Sequence, residues 1–247
     1  MNTFLISLII TSIAGLSTLF GGVIPFIRIN DKDKIILCSL AFSAGIMVCI
    51  SIMDLIPNSF YYLYNSYGYL SLLYIILFIF VGGLLFYIID KLLTKDVDNL
   101  YRVGIFSLIG IILHNIPEGI ITFLLTSSDV KLGLFMGLSI AFHNIPEGIS
   151  IMVPIYYGSN NFKKAFLCTF LAGVSEIVGG VLSFLVFKDL FNNFFFGFLF
   201  SFVAGIMIYI SFYELIPKSL EYKRYSLSLS SFMLGIIFFL IVHFFMH

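Results

Sequence analysis

The chain has 247 residues, of which 60% are hydrophobic and 11% charged, and its mean hydropathy is +1.10. Ordinary soluble domains carry about one-quarter charged residues, so this composition excludes them and indicates an integral membrane protein. The formal net charge is zero, and the basic residues are dispersed over short loops that also carry acids, which excludes a basic patch for nucleic acid.

In chain order, eight apolar stretches are each long enough to cross a hydrocarbon core of about 30 Å as a helix. They predict an all-α membrane protein with one transmembrane domain over residues 1–247. The start, MNTFLISLII, lacks a basic region, so we expect no cleaved signal peptide. The predicted spans are 3–27, 35–57, 69–90, 103–125, 132–154, 164–187, 193–216 and 226–246.

Lysine and arginine are distributed unequally between the two sets of loops. Loops 1–2, 3–4, 5–6 and 7–8 hold eleven of them, whereas the opposite side holds only Lys131 and Lys188. Because basic loops stay in the cytoplasm, we expect these four loops to be cytoplasmic and both termini to be extracytoplasmic.

Two segments of the chain repeat. AFSAGIMVCISIMDLIPNSF at 41–60 and SFVAGIMIYISFYELIPKSL at 201–220 share eleven of twenty positions, and AGLSTLFGGV at 14–23 resembles AGVSEIVGGV at 172–181. Spans 3 and 8 correspond by position only. Spans 1 and 6, and 2 and 7, cross in opposite directions, so the repeat is predicted to be inverted, as is typical of secondary transporters.

A shorter motif places polar residues inside two apolar spans. LHNIPEGI at 113–120 returns as FHNIPEGI at 142–149, and span 6 carries a single glutamate near its middle. Positions i, i+3 and i+4 share one helix face, so each copy presents a histidine, an asparagine and a glutamate together. An ionisable group at this depth costs about 2.5–3.5 kcal/mol, which predicts a metal site. The candidate ligands are His114, Asn115, Glu118, His143, Asn144, Glu147 and Glu176.

These oxygen and nitrogen ligands, without a thiolate, suit Zn²⁺, Fe²⁺, Mn²⁺ or Co²⁺, and neighbouring carboxylates could bridge two metals. Pro117 and Pro146 are predicted to kink their helices and to free one carbonyl each. The alternative is that each proline is an ordinary kink and each histidine–glutamate pair a self-satisfying hydrogen bond.

The twin H-N-x-P-E-G motifs at 114–119 and 143–148, the eight-span length and the AGVSE of span 6 resemble the ZIP family of divalent metal transporters, closest to its bacterial ZupT type. The resemblance implies a 3+2+3 helix arrangement and uptake of Zn²⁺, with Fe²⁺, Mn²⁺, Co²⁺ and Cd²⁺ as further substrates, into the cytosol. It implies no catalytic cofactor and no enzyme activity. It places the family's metal ligands on Asn115, Glu118, His143, Asn144, Glu147 and Glu176, with His114 as an additional ligand.

One feature departs from many family members, which carry a histidine-rich loop between spans 3 and 4. Here that loop reads DKLLTKDVDNLYR and has no histidine. His243 and His247, near the C-terminus, are interpreted as incidental surface or interface residues.

Acidic residues also lie near the ends of spans 2 and 7. We expect Asp54 to draw cations to an outer vestibule and Glu214 to receive them at the cytoplasmic exit, with Met47 as a further candidate vestibule or gate residue. The alternative is that both acids cap helices or pair with neighbours such as Lys218.

Two other functions use the same ligands. An intramembrane metallohydrolase would be expected to show H-E-x-x-H, but asparagine follows histidine in both copies; a metal-selective channel would differ only in kinetics. No phosphate-binding G-x-x-x-x-G-K-[ST] motif is present, so ATP is not expected to drive transport. The expected partners are divalent metal ions and the lipid bilayer, with a homodimer left open.

Overall fold

The computed structural model describes residues 3–26, 31–93, 99–185 and 192–246. These residues are almost entirely helical and contain no strand, in agreement with the predicted all-α class. Seven of their helical segments are long and apolar enough to cross a membrane. Arg28 and Lys95, two of the eleven basic residues counted above, lie outside the described ranges, as do Lys188, His247 and the last residues of the predicted spans 3–27 and 164–187.

The α-helices of the described residues follow one another through short connections. Helices α5 and α6 are the longest elements, with 30 residues each, and both pack against α1 and α7. The helices are α1 Thr3–Leu16, α2 Lys32–Ile50, α3 Ile56–Tyr67, α4 Ser71–Leu93, α5 Asn99–Ser128, α6 Val130–Ser159, α7 Phe162–Leu185, α8 Asn193–Tyr209, α9 Ile216–Leu220 and α10 Tyr225–Met246.

The first two predicted spans differ from the observed elements. Helix α1 gives way to a 3₁₀-helix at Ser17–Phe26, which contains Pro25. The second span was predicted to end at residue 57, but helix continues to Tyr67 through a segment rich in tyrosine, serine and asparagine that is less apolar yet still helical. At Gly68 the backbone turns with φ of 55°, a conformation that favours glycine. Lys32–Leu92 therefore forms one apolar segment of 61 residues with a break inside it.

A widened turn interrupts both copies of the twenty-residue repeat. Ser51–Leu55 and Ile210–Leu215 are π-helical, and in each copy the next backbone N–H reaches back five residues. Pro57 and Pro217 follow at the second position of the next helix. A proline ring clashes with the carbonyl four residues before it, and the widened turn accommodates that clash. Each widened turn carries the acidic residue of its repeat.

The two repeats also pack in the same way against other helices. A methyl group added to Gly45 of α2 would lie 2.3 Å from the carbonyl oxygen of Phe232 in α10, and one added to Gly205 of α8 would lie 2.1 Å from that of Ile79 in α4. Only glycine allows backbones this close. The reciprocal contacts are Gly235 against Phe42 and Gly82 against Phe202.

These contacts supply the correspondence between α4 and α10 that the sequence alone did not. Ile79 takes the place of Phe232, and Gly82 that of Gly235. In the same register, Asp90 of α4 is the counterpart of His243 of α10.

The four basic loops of the predicted cytoplasmic side meet at one end of the described fold. The contacts that join them are the Arg224–Asp31 ion pair, the Arg102–Glu214 ion pair at 3.0 Å, and Lys164 lying 4.2 Å from the ring centre of Tyr101.

Candidate metal centre

The twin motif lies near the middle of the two longest helices. His114 is close to the midpoint of α5, His143 is close to the midpoint of α6, and Glu176 lies near the middle of α7. Each of the seven candidate ligands is at most 8% exposed. The apolar sequence of these helices therefore carries its ionisable groups deep into the interior.

Glycines beside the two glutamates allow neighbouring backbones to approach closely. A methyl group on Gly119 would lie 1.8 Å from the carbonyl oxygen of Glu176, and one on Gly148 would lie 1.9 Å from that of Thr18. Thr18 occupies the position of Glu176 in the other repeat. The two approaches are therefore equivalent, but only one brings a carboxylate into the cluster.

Both motif asparagines are fixed by hydrogen bonds to the repeated AG segments. Asn115 donates its side-chain N–H to the carbonyl of Ala172 at 2.9 Å, and Asn144 donates to that of Ala14 at 2.8 Å. Asn144 also donates to Glu176 at 2.7 Å. Because the amide nitrogens are held this way, the amide oxygens are left as acceptors.

The first motif histidine lies between two glutamates. His114 Nε2 is 3.0 Å from Glu118 Oε1, on its own helix, and 3.2 Å from Glu147 Oε1, on α6. The structure therefore brings the two copies of the motif together, as the sequence predicts, through His114.

Six buried side-chain oxygens in this cluster form no hydrogen bond among the described residues. One of them, Glu147 Oε1, lies 3.2 Å from His114 Nε2, and the other five have no donor. A buried acceptor without a partner costs about 1–3 kcal/mol, so a cation that binds these oxygens would relieve that cost. Carboxylate and amide oxygens with an imidazole suit a divalent cation. The five oxygens are Asn115 Oδ1, Glu118 Oε2, Asn144 Oδ1, Glu147 Oε2 and Glu176 Oε1.

Across the described ranges, no three histidine, cysteine or acidic side chains already have the arrangement of a formed metal site. The position of His114 between Glu118 and Glu147 gives the physical reason, since the imidazole holds the carboxylates that a metal would bind. Metal binding at the cluster would require these ion pairs to open.

The second motif histidine has a different environment from the first. His143 Nε2 lies 4.0 Å from Asp54 Oδ2, and the ring packs against Phe239 at 5.5 Å between centroids. The structure thus brings His143 to Asp54, while its counterpart His114 is paired with the glutamates. A cavity of about 50 Å³ joins the two regions, and Asp54, His143 and Glu118 all line it.

The residue His243 also contacts Asp54, with its Nδ1 3.3 Å from Oδ1 of the carboxylate. It lies in the last turn of α10 and stacks on Phe239. His243, interpreted above as an incidental surface or interface residue, is 25% exposed and pairs with the Asp54 carboxylate. The sequence carries no signal for this contact, because the α4/α10 register in which His243 corresponds to Asp90 rests on the glycine contacts.

Glu214, the acidic residue of the second repeat, forms an ion pair with Arg102. Glu214 is 4% exposed and pairs with Arg102 at 3.0 Å, and the same guanidinium pairs with Asp90, which accepts a hydrogen bond from Tyr209. Lys218, the partner considered from the sequence, pairs instead with Glu221 at 2.6 Å. Arg102 was not identified from the sequence.

Met47 is fully buried within the main hydrophobic core of the described residues. It is not among the residues that line the cavity beside Asp54.

The helices and the buried polar cluster define a multi-pass membrane protein. Residues 94–243 match the family described as ZIP Zinc transporter. Proteins named zinc transporter ZupT are similar over almost the whole length: that of Streptococcus mutans is 35% identical with 93% of each chain covered, and that of Chlorobaculum parvum is 35% identical with 96% of each covered. That of Lysinibacillus sphaericus is 38% identical, with 89% of this chain and 90% of the relative covered.

The chain therefore belongs to the ZIP family of zinc transporters, which confirms the resemblance carried by the twin motif. Members of this family are transporters and not enzymes, so the prediction that the chain is not an enzyme is confirmed and the metallohydrolase alternative is removed.

Proposed function

We propose that this chain is a secondary transporter that carries Zn²⁺ across the cell membrane into the cytosol through the buried cluster. The observation that carries the proposal is the set of five buried, unpartnered oxygens between α5, α6 and α7. Such a set is costly in a protein with no ion to bind and is useful in one that binds a cation in transit.

The proposed ligands are His114, Asn115, Glu118, His143, Asn144, Glu147 and Glu176. Fe²⁺, Mn²⁺, Co²⁺ and Cd²⁺ are further substrates in this proposal, because first-row divalent metals share such ligands. The two motif glutamates, held by His114, lie beside Glu176, held by Asn144. These carboxylates form two adjacent groups, Glu118 with Glu147, and Glu176 by itself, and two groups support a two-metal site.

The proposed topology has eight spans in a 3+2+3 arrangement with an inverted repeat. The 61-residue segment Lys32–Leu92 is more than twice the length that one crossing needs, and its break at Gly68 supports two crossings. The matched glycine contacts of α2 with α10 and of α8 with α4 support the repeat. The meeting of the basic loops at one end supports a cytoplasmic location for that end and extracytoplasmic termini.

Transport in this proposal alternates access to the cluster from the two sides. The cavity that joins Asp54 to Glu118 supports entry from the Asp54 side. At the other end, Arg102 neutralises Glu214, so its ion pair must open before Glu214 can receive an ion. Asp54 and Glu214 are thus the proposed entry and exit acids.

Uptake of ⁶⁵Zn²⁺ into proteoliposomes tests the proposal. Wild-type protein should give saturable uptake, and Glu147→Gln should reduce it to the level of empty liposomes because a buried ligand loses its charge. Glu221→Gln is the matched control, since it makes the same chemical change at a residue that pairs with Lys218 in the turn after α9. It should transport like the wild type.

The outcomes separate the alternatives. Absence of uptake by folded wild-type protein would contradict transport, and equal uptake by Glu147→Gln would contradict the buried cluster as its route. A flux that does not saturate, and that shows no exchange of internal for external zinc, would establish the channel in place of the carrier.

A further inference from the structure

Three side chains of metal-ligand type meet beside the buried cluster. We call the residues with the unpartnered oxygens, Asn115, Glu118, Asn144, Glu147 and Glu176, the central cluster. The Asp54 carboxylate lies between two imidazoles, with Oδ2 4.0 Å from His143 Nε2 and Oδ1 3.3 Å from His243 Nδ1. These side chains come from the widened turn after α2, from α6 and from α10, and they are 15%, 8% and 25% exposed. We call these three residues the Asp54 site.

The Asp54 site is not a formed metal site, but one of its two contacts already has the spacing of atoms that share one metal ion. Ligands at about 2.0–2.2 Å from a tetrahedral zinc are roughly 3.3–3.5 Å apart. The 3.3 Å contact already fits, and the 4.0 Å contact needs a closure of about half an ångström. One carboxylate and two imidazoles, with room for water, form a common donor set for Zn²⁺.

Aromatic packing holds the two imidazoles in place. The ring of Phe239 lies 5.5 Å from that of His143 and 5.4 Å from that of His243, between centroids. Phe239 is 1% exposed, so it cannot turn freely. Fixed ligand side chains lose less conformational entropy when an ion binds.

The Asp54 site is also connected to the central cluster. Asp54, His143 and Glu118 line one cavity, and Glu118 is a proposed ligand of the central cluster. An ion bound at the Asp54 site would therefore face the same cavity as Glu118.

We propose that Asp54, His143 and His243 form a second divalent-metal site, which binds Zn²⁺ and hands it to Glu118. The role as a loading site rests on the proposed transport function, whereas metal binding at these three residues does not. In the conformation described His143 belongs to the Asp54 site, and its proposed role as a ligand of the central cluster requires its ring to leave Phe239.

Zinc binding by purified full-length protein in detergent tests this site without any flux. The double variant Glu118→Gln with Glu147→Gln weakens the central cluster, and it should still bind Zn²⁺ in equilibrium dialysis with ⁶⁵Zn²⁺. Adding His243→Leu should weaken the remaining binding at least tenfold, because one of three protein ligands is lost. Adding His243→Cys, which keeps a metal ligand, should preserve it within about threefold.

Phe244→Leu, a change at the adjacent and 80% exposed residue, is the control for general effects on α10. Melting temperatures of the metal-free variants show whether each is folded. Folded double variant that binds no zinc, or binding that His243→Leu leaves unchanged, would overturn the Asp54 site. These results do not depend on uptake into liposomes, so failure of the site and failure of the proposed transport function are distinguishable.

Discussion

Asp54 and Glu214 occupy equivalent widened turns, and each is joined to the helix that packs on its repeat, Asp54 directly and Glu214 through Arg102. Asp54 contacts His243 of α10, whereas Glu214 and Asp90 of α4 share the Arg102 guanidinium. His243 and Asp90 correspond in the register that the glycine contacts define. The backbone at the two ends is therefore the same, and the side chains differ.

The difference has a chemical consequence. A neutral imidazole can bind a metal, whereas a guanidinium stays protonated and repels one. In the proposed transport, the histidines beside Asp54 therefore leave its carboxylate able to attract cations, whereas Arg102 neutralises Glu214. In that proposal, the two equivalent acids would differ in their affinity for the same ion.

The largest expected effect tests whether the backbones of the two repeats pack in the same way against their neighbouring helices. Gly45→Ala and Gly205→Ala each place a methyl group 2.1–2.3 Å from a carbonyl oxygen of the neighbouring helix. Backbone cannot move aside as a side chain can, so each should destabilise the protein by about 3 kcal/mol or more, at the upper end for overpacking. Thermal unfolding in detergent measures the loss.

Gly83→Ala is the control for the glycine variants, because its nearest neighbouring atom would be 3.6 Å away. It should unfold at nearly the wild-type temperature. A large loss for one of the two repeat glycines and none for the other would contradict equivalent packing at the two ends.

Arg102→Gln tests the neutralised end. It leaves Glu214 and Asp90 without their cation, and Glu214 is 4% exposed. Removing one partner of a fully buried pair costs about 3–5 kcal/mol; because Arg102 is 24% exposed, we expect about 1–3 kcal/mol in the free energy of unfolding.

The double variant Arg102→Gln with Glu214→Gln should recover part of that loss, since the carboxylate that lost its partner is removed. Chemical denaturation of the two variants measures the difference. If the double variant is less stable than Arg102→Gln alone, Glu214 is not stabilised through Arg102.

Zinc uptake kinetics compare the two acids directly. Asp54→Asn should raise the zinc concentration for half-maximal uptake about three- to tenfold, because an entry carboxylate no longer concentrates the cation. Glu214→Gln should leave that concentration near the wild-type value and change the maximal rate. Initial rates of ⁶⁵Zn²⁺ uptake over a range of concentrations separate the two effects, and unchanged kinetics in both variants would remove their gate roles.

The smallest expected effect concerns an exposed pair at the same end as Glu214. The Arg224 guanidinium lowers the pKa of Asp31, which also caps α2. A carboxyl whose pKa is lowered in the folded protein contributes stability above its unfolded pKa, and the contribution is lost as the pH falls through the folded pKa.

Arg224→Gln should therefore unfold at a slightly lower temperature than the wild type at pH 7, and the gap should close in acid. Asp31 and Arg224 are 39% and 45% exposed, so the gap should be small. A gap that widens in acid would contradict the assigned ion pair.

The sequence predicted most of the helices because apolar length is a strong signal. It placed the end of the second span about ten residues early, since Ile56–Tyr67 is helical without being strongly apolar. The correspondence between α4 and α10 was beyond the sequence, because it rests on glycine-to-carbonyl contacts and few shared residues.

The candidate centre was predictable where residues share one helix and less so where they meet across helices. His114 with Glu118 follows from helical spacing. His243 with Asp54, and Arg102 with Glu214, are separated by more than a hundred residues, and only tertiary packing brings them together. His114 and His143 also differ because of tertiary packing, since each begins the same local sequence, HNIPEGI.

Anomalous diffraction at the zinc edge, from crystals of the full chain grown with Zn²⁺, tests the central claim most directly. The account predicts zinc between α5, α6 and α7, with oxygens of Glu118 and Glu147 at about 2.0–2.2 Å from the ion and the His114 ion pairs opened. Zinc found only outside this cluster, with both glutamates still paired to His114, would contradict it.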